Sequence, residues 1–560
     1  MDPLQRTPHN KAAPLTGYHT VRSDAALVGA VRAFAGDDAE TVLASLDPVG
    51  ELAGSAQARE HGMLANRHEP VHHPVDRYGN RVDEITFHPS WHWMMERGVE
   101  FGLHATPWVS EEPKPHLRRA AAYVAWTHNE PGHGCPLTMT YAAVPALRAD
   151  DALAKQWTPL LASTSYDFGL RNPAEKRGIL AGMGMTEKQG GSDVRTNVTT
   201  ATPTDVEGEY VLRGHKWFTS APMNDLFLVL AQAPGGLTCF VVPRVLPDGT
   251  RNPLQVVRLK DKLGNRSNAS SELELDGTWA VRLGDEGRGV RTIIEMVAAT
   301  RLDCVLGSTS LMRRAVNEAT WHAAHRSAFG SLLADKPLMQ NVLADLAVES
   351  EAATLLALRL ASSVEHPGDE HERALRRIAL PIAKFWVCKR TPMMVAEALE
   401  CLGGNGYVEE SILPRLYREA PVNAIWEGSG NVMALDLMRS ARERDLVEAL
   451  LGALMSEAEG LPGVPALCDD LRRAFAGEPD EFAARRTAEN LALLAAAGAL
   501  ASCAPAPIAE AFATTRIASP RRMIGSNPVE HCATVLLERS LAAENGLPSG
   551  ITDPSTARFP

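Results

Sequence analysis

The sequence predicts a mainly α-helical protein with a central antiparallel β domain, and two features carry that prediction. Apolar residues recur at helical spacing up to about residue 180 and again beyond about 289. Between these stretches, short β-branched and aromatic runs are separated by Gly, Pro and Asp. A chain of 560 residues has room for several domains, and 45% hydrophobic with 22% charged residues is ordinary for a soluble globular enzyme.

Residues 1–180 read as an N-terminal helical domain, with Leu27, Val28, Val31 and Phe34 at helical spacing and an aromatic stretch at Trp91-His92-Trp93-Met94. Residues 181–288 read as the β domain, with strands expected at Glu209-Tyr210-Val211-Leu212, Phe227-Leu228-Val229-Leu230, Thr238 to Val242 and Glu272 to Leu275. Residues 289–444 return to the helical period in long segments, Thr292 to His325 and Leu338 to Ser363, which predicts a helical bundle. Residues 445–560 form a C-terminal helical extension, interrupted at Leu461-Pro462-Gly463 and Gly477-Glu478-Pro479. The uncharged run Leu491 to Ala509 is rich in alanine and meets Pro505 and Pro507, so it predicts a buried helix and not a membrane span.

The formal net charge of -12 disfavours bulk attraction to nucleic acid or an anionic membrane. Eight cysteines without C-x-x-C spacing fit a reducing cytoplasm, and Met1 to Pro14 lacks the apolar region of a secretory signal. The histidines His68, His72, His73, His88, His92, His128 and His133 match no zinc template, so no metal site is expected.

Five short segments carry the chemistry. Ile425-Trp426-Glu427-Gly428-Ser429-Gly430-Asn431 sets one carboxylate between a large aromatic plane and a glycine-rich bend. A base that removes a proton beside a thioester carbonyl needs such a wall to keep water off. The alternative is a helix N-terminus capped by Gly-Ser-Gly-Asn, with Glu427 exposed. In Gly182 to Asp193, glycines free the backbone to approach a planar or anionic ligand, although G-x-G-x-x-G is not completed and an ordinary loop reads equally well. Gly214-His215-Lys216-Trp217-Phe218-Thr219-Ser220 places an aromatic platform beside two hydroxyls, or else a core tryptophan. His325-Arg326-Ser327-Ala328-Phe329-Gly330 offers a guanidinium for a pyrophosphate, or a solvated helix end. Gly403-Gly404-Asn405-Gly406-Tyr407 is a turn able to pass close to phosphate, or a helix C-cap.

In this order and register, Met185-Thr186-Glu187, Gly191-Ser192-Asp193, Lys216-Trp217-Phe218-Thr219, Arg326 with Phe329-Gly330, Leu402-Gly403-Gly404-Asn405-Gly406 and Trp426-Glu427-Gly428 resemble the acyl-CoA dehydrogenase family. Met183 to Arg195, Pro414 to Asn423 and the C-terminal extension look like its AidB-type alkylation-response branch. The resemblance covers residues 50 to 440 or so and implies a helical domain, a β-barrel-like domain and a four-helix bundle in that order.

It also implies bound FAD. Met185, Thr186 and Thr219 would contact the flavin ring, Trp217 would pack against it, and Ser192 would face the pyrophosphate or the thioester ligand. Arg326, Phe329 and the turn Gly403, Gly404, Asn405, Gly406 would reach the adenine-side half of FAD in a neighbouring subunit, which implies a homotetramer. Trp426, Ser429 and Asn431 would complete the site around Glu427. That carboxylate would take the α-proton of an acyl thioester as flavin N5 accepts hydride from the β-carbon. The acyl group and the electron acceptor stay open.

Three positions depart from the family pattern: Trp426 replaces a tyrosine, Glu400 replaces a glutamine before the Gly-Gly turn, and Pro337 stands where a polar flavin contact is expected. The bulkier Trp426 suggests a narrowed acyl channel. The branch also carries an alternative function, protection of double-stranded DNA from alkylation by a flavin-containing protein with weak dehydrogenase activity. Residues 441–560 hold 11 Arg and no Lys against 16 Asp plus Glu, so only a one-sided cluster such as Arg516, Arg521 and Arg522 would serve a duplex.

Overall fold

The computed structural model describes residues 10–477, 480–519, 523 and 529–540. The chain forms two compact units, one from residues 57–303 and one that joins the described residues up to Ala56 to those from Cys304 onward. The N-terminal helical segment foreseen over 1–180 is therefore divided at Ala56. The physical reason is the helix Ala25–Ala35, which buries Leu27 and Val31 and packs on the helix Pro337–Ser362. Asp24 caps it by accepting from Ala26 N and Leu27 N, and its second oxygen takes Arg313 Nε at 2.8 Å.

In the unit of residues 57–303, a hairpin of β1 (Val71–Val75) and β2 (Arg81–Thr86) interrupts the helices. The sequence reading took this stretch as helices and turns. The hairpin is mostly exposed, and Pro74 breaks its alternation, so no period-2 pattern marks it. Two of the histidines fall here and are satisfied locally, His72 by Asp83 at 3.0 Å and His73 by Thr86 at 3.0 Å. Among the described residues no group of His, Cys, Asp and Glu is arranged to hold a metal ion.

The main sheet comprises β3 (Ala181–Gly184), β4 (Thr200–Pro203), β5 (Glu209–Ser220), β6 (Leu226–Ala233), β7 (Gly236–Pro243), β8 (Leu254–Leu259) and β9 (Ser270–Leu283). The path β6-β4-β5-β9-β7 returns to β6, which closes a five-stranded barrel; β3 extends it beside β6 and β8 pairs with β9. β6 is apolar and buried along nearly its whole length, as a strand covered on both faces must be. The first part of the long helix Gly289–His325 is tied to the helix Pro115–Thr127 by a buried pair. Arg119 Nη1 and Nη2 donate to the two oxygens of Asp303 at 2.7 and 2.6 Å, a fork geometry that suits a desolvated pair.

In the other unit, the later part of that helix lies with the helices Pro337–Ser362 and Leu380–Cys401, and a short hairpin, β10 (Ser327–Ala328) with β11 (Ser331–Leu332), links the first two. The alanine-rich run forms the buried helix Ala484–Cys503, which packs on Pro337–Ser362, Leu380–Cys401 and the helix Gly430–Ser440. No helix among the described residues is long and apolar enough to cross a membrane. Two arginines fasten the extension to Pro337–Ser362. Arg539 Nε donates to Glu351 Oε1 at 3.0 Å, and Arg516 Nη2 lies 3.0 Å from Glu349 Oε2 and 2.6 Å from Asp345 Oδ1.

Arg516, expected to face duplex DNA, is 9% exposed and is consumed by these carboxylates, so it is not a surface cation. Arg521 and Arg522 lie outside the described residues. Breaking a buried pair strands the remaining charge, so Arg516→Met is expected to cost about 3 kcal/mol. Urea denaturation of the two proteins measures the difference, and equal midpoints would show that the pair does not fasten the extension.

Candidate functional site

The unit of residues 57–303 carries its own group of candidate residues where β5 meets the Met185–Thr186 loop. On β5, Lys216 opposes Leu273 and Thr219 opposes Ser271, so three steps on one strand face two on the other. This β-bulge inserts an extra residue and inverts the alternation beyond it. Lys216 and Thr219 consequently both point inward, Thr219 at 0% exposure, whereas Phe218 is 55% exposed and Ser220 is half-buried. The family resemblance implies Trp217 and Thr219 as flavin contacts. Trp217 is half-buried, and the Thr219 hydroxyl is buried without a hydrogen-bond partner. One face of Trp217 is covered by Lys260, whose ammonium lies 3.5 Å from the ring centroid and 2.6 Å from Glu272 Oε1.

An ion pair fixes the loop to this strand. Glu187 is fully buried; its carboxylate takes Lys216 Nζ at 2.7 Å, Val198 N at 2.7 Å and Gln189 Nε2 at 2.9 Å. Lys216 also donates to Leu230 O at 2.7 Å. Burial alone would raise the Glu187 carboxyl, but the ammonium and the hydrogen-bond donors outweigh it and hold the group at about 2. Next to it Trp217 N donates to Thr186 O at 2.9 Å, which brings two of the predicted segments together. Met185 accepts from Asn197 Nδ2 at 2.8 Å through its carbonyl. A Cβ on Gly191 would stand 2.5 Å from Thr186 Oγ1, so glycine is what lets the loop fold over that hydroxyl, and Ser192 beside it is exposed.

The other unit carries Glu427. The helix Gly430–Ser440 does start here with Ser429 at its N-cap position, as the structural alternative required, but the Ser429 side chain makes no capping bond. Glu427 itself stands at φ 57° and Gly428 at φ 101°. A left-handed glutamate is uncommon and costs about 1–2 kcal/mol. The turn is held by polar groups below it. Trp426 Nε1 donates to Asn423 Oδ1 at 2.8 Å, which fixes the half-buried indole, and Asn423 Nδ2 donates to Ser308 Oγ at 3.1 Å. A Cβ on Gly430 would stand 2.3 Å from Lys389 Cε, so the lysine side chain packs directly against the start of this helix.

Asn431 is exposed, with Arg485 Nη1 at 3.4 Å. The Gly403–Gly406 turn follows the helix Leu380–Cys401 and reverses it with Gly403 at φ 58°; Gly403, Gly404 and Asn405 are exposed, and Gly406 is pressed against Leu399 O. Arg326 binds the carbonyl of Asn10, and Phe329, at φ 51° on the tip of the β10-β11 hairpin, is 99% exposed. Pro337, the departure from the family pattern, begins the helix Pro337–Ser362 at a first-turn position where proline is favoured. The sequence reading did not single out Lys384, whose partners are the main-chain oxygens of Asn423, Trp426 and Gly428.

The sequence matches three family models: the AidB adaptive response N-terminal domain over residues 10–168, the acyl-CoA dehydrogenase middle domain over 182–278 and the acyl-CoA dehydrogenase C-terminal domain over 287–441. It is 44% identical over 514 residues to the acyl-CoA dehydrogenase-type protein AidB of Escherichia coli strain K12, covering 90% of this chain and 93% of that one. The structure resembles Caenorhabditis elegans ACDH-11 in complex with C11-CoA at a TM-score of 0.80 and 28% identity, over 92% of this chain and 94% of that one. A more distant fold likeness is the Bacillus anthracis acyl-CoA dehydrogenase complexed with FAD, at a TM-score of 0.60 and 18% identity over 81% and 83% of the two chains.

The Glu187–Lys216 pair gives this region a defined acid response. The carboxyl lies at about 2 in the folded chain against an ordinary 4.5, so its contribution is complete above pH 4.5 and is lost as the pH falls toward 2. Lys216→Met leaves the carboxylate buried without its counter-charge and is expected to cost about 3–5 kcal/mol near neutral pH. The expected gap between wild type and variant narrows on acidification in denaturant titrations; a gap independent of pH would refute the assignment.

Proposed function

Because the chain belongs to the acyl-CoA dehydrogenase family, in its AidB-type branch, we propose that it is an FAD-dependent oxidoreductase that desaturates the Cα–Cβ bond of an acyl thioester, with Glu427 as its base. The observation that carries the reading is the conformation of Glu427. A capping segment has no need of a left-handed glutamate between Trp426 and Gly428, whereas a base that must meet one carbon of a substrate does.

The chain's own residues fit the cofactor. Phe218 and Ser220 present an apolar face and a hydroxyl on the open side of β5, and Thr186 adds a second hydroxyl in the hollow that Gly191 leaves. Ser192 is assigned to its pyrophosphate or to the thioester, Ser429 and Asn431 to further contacts with it, and the exposed Gly403, Gly404 and Asn405 backbone to the adenine-side half of a second copy's cofactor. What FAD supplies when bound is the acceptor for the hydride that leaves the β-carbon. Glu427 takes the α-proton and holds it as the thioester becomes an enoyl thioester, and Trp426 walls the base from water. Arg326 and Phe329 serve the cofactor of a second copy in a homotetramer. The fully exposed Phe329 supports this, since a projecting aromatic ring gains most from burial in a partner. The acyl group is a thioester-borne chain limited by the Trp426 wall.

Anaerobic mixing with a panel of acyl-CoAs that includes C11-CoA should bleach the bound flavin, and Glu427→Gln should abolish bleaching while leaving FAD content unchanged. Bleaching by none of the panel would sink the dehydrogenase reading. FAD titration of the apoprotein separates the β5 side chains: Phe218→Ala is expected to weaken binding by about tenfold through lost ring contact. A larger loss from Thr219→Val than from Phe218→Ala would show that the inward residue is the ligand contact.

A further inference from the structure

The turn that presents Glu427 takes its shape from a residue on a helix 43 positions earlier in the chain. Lys384, in the helix Leu380–Cys401, is buried, and its ammonium donates to Asn423 O at 2.9 Å, Trp426 O at 2.9 Å and Gly428 O at 2.7 Å. An ammonium has three N–H donors and no acceptor, so these three carbonyls use its whole capacity. Two of them belong to the residues on either side of Glu427. Carbonyl oxygens that converge on one point repel one another, and a buried cation is what makes the convergence favourable.

We propose that Lys384 is the positioning residue of the Glu427 base. By drawing the Trp426 and Gly428 carbonyls to one point, it anchors the peptide plane before Glu427 and the plane after Gly428, and so holds the two-residue turn between them, with Glu427 at φ 57° and Gly428 at φ 101°. The direction of the Glu427 Cα–Cβ bond is constrained by those two anchors, because only the φ and ψ of residues 427 and 428 are soft between them. The third bond, to Asn423 O, joins the same ammonium to the residue that fixes the Trp426 indole. One buried charge thereby sets the base and its apolar wall together. A neutral side chain has at most two N–H donors to offer and leaves a carbonyl unpaired. The inference rests on Glu427 being the base, which the proposed function assigns.

The test uses the FAD-loaded protein in D2O with C11-CoA and reads deuterium entering the acyl α-carbon by mass spectrometry, a step that needs the base and no hydride transfer. Wild type should exchange. Lys384→Met should lower the exchange rate about 100-fold, as misplacement of a reacting group by about 1 Å does, with KM for C11-CoA held within about threefold. Lys384→Gln, which keeps two donors, should fall between them. A folded Lys384→Met or Lys384→Gln that exchanges at the wild-type rate overturns the proposal, as does a loss expressed only in KM. Failure of both variants to fold also overturns it, since Lys384 would then support the whole unit and not this turn. Exchange that persists in Glu427→Gln, or that is absent from wild type, is a different failure: it removes the base assignment itself.

Discussion

Two opposite charges withdrawn from water cost several kcal/mol per ion unless every donor and acceptor they carry is used. The Glu187–Lys216 pair meets that condition through Val198 N, Gln189 Nε2 and Leu230 O. Much of the surrounding architecture follows from it. Lys216 must point into the barrel to reach Glu187, and the extra residue in β5 then decides which side chains after it face outward. The loop that carries Met185 and Thr186 is held to β5 at two consecutive residues, Thr186 by Trp217 N and Glu187 by Lys216. The open face of β5 is thus shaped by a pair that never touches it.

The other unit repeats the device with different partners. Glu349 lies between Arg390 and Arg516, and this matched set lets the extension bury polar groups against the helix Pro337–Ser362. Its helix Ala484–Cys503 packs along Gly430–Ser440, the helix that leaves the Glu427 turn. The extension is therefore built into the support of the turn and does more than follow the bundle in sequence.

The sequence made the architecture readable wherever burial was uniform. The run Leu226–Ala233 is covered on both faces and reads as a strand at once; the run after Leu491 reads as a buried helix because alanines fill it. It made the special backbone positions readable because glycines sit where the backbone turns left-handed or approaches closely, at Gly191, Gly403 and Gly428. Orientation was not readable. A bulge adds one residue without changing composition, so nothing in Lys216-Trp217-Phe218-Thr219 tells which ring faces out. Arg516 reads as a surface cation because its carboxylate partner, Glu349, is 167 positions away. Lys384 is hidden for the same reason: its partners are main-chain oxygens, which every residue possesses.

The left-handed backbone of Glu427 has a consequence for how this chain responds to selection. Glycine adopts that conformation without steric cost, so at residue 427 the replacement best suited to the fold is the one that deletes the carboxylate. Stability and chemistry pull in opposite directions at a single position. An engineering campaign that screened only for thermal resistance would drift toward glycine there and keep a well-folded scaffold without the carboxylate. At this position the side chain is held against the preference of its own backbone.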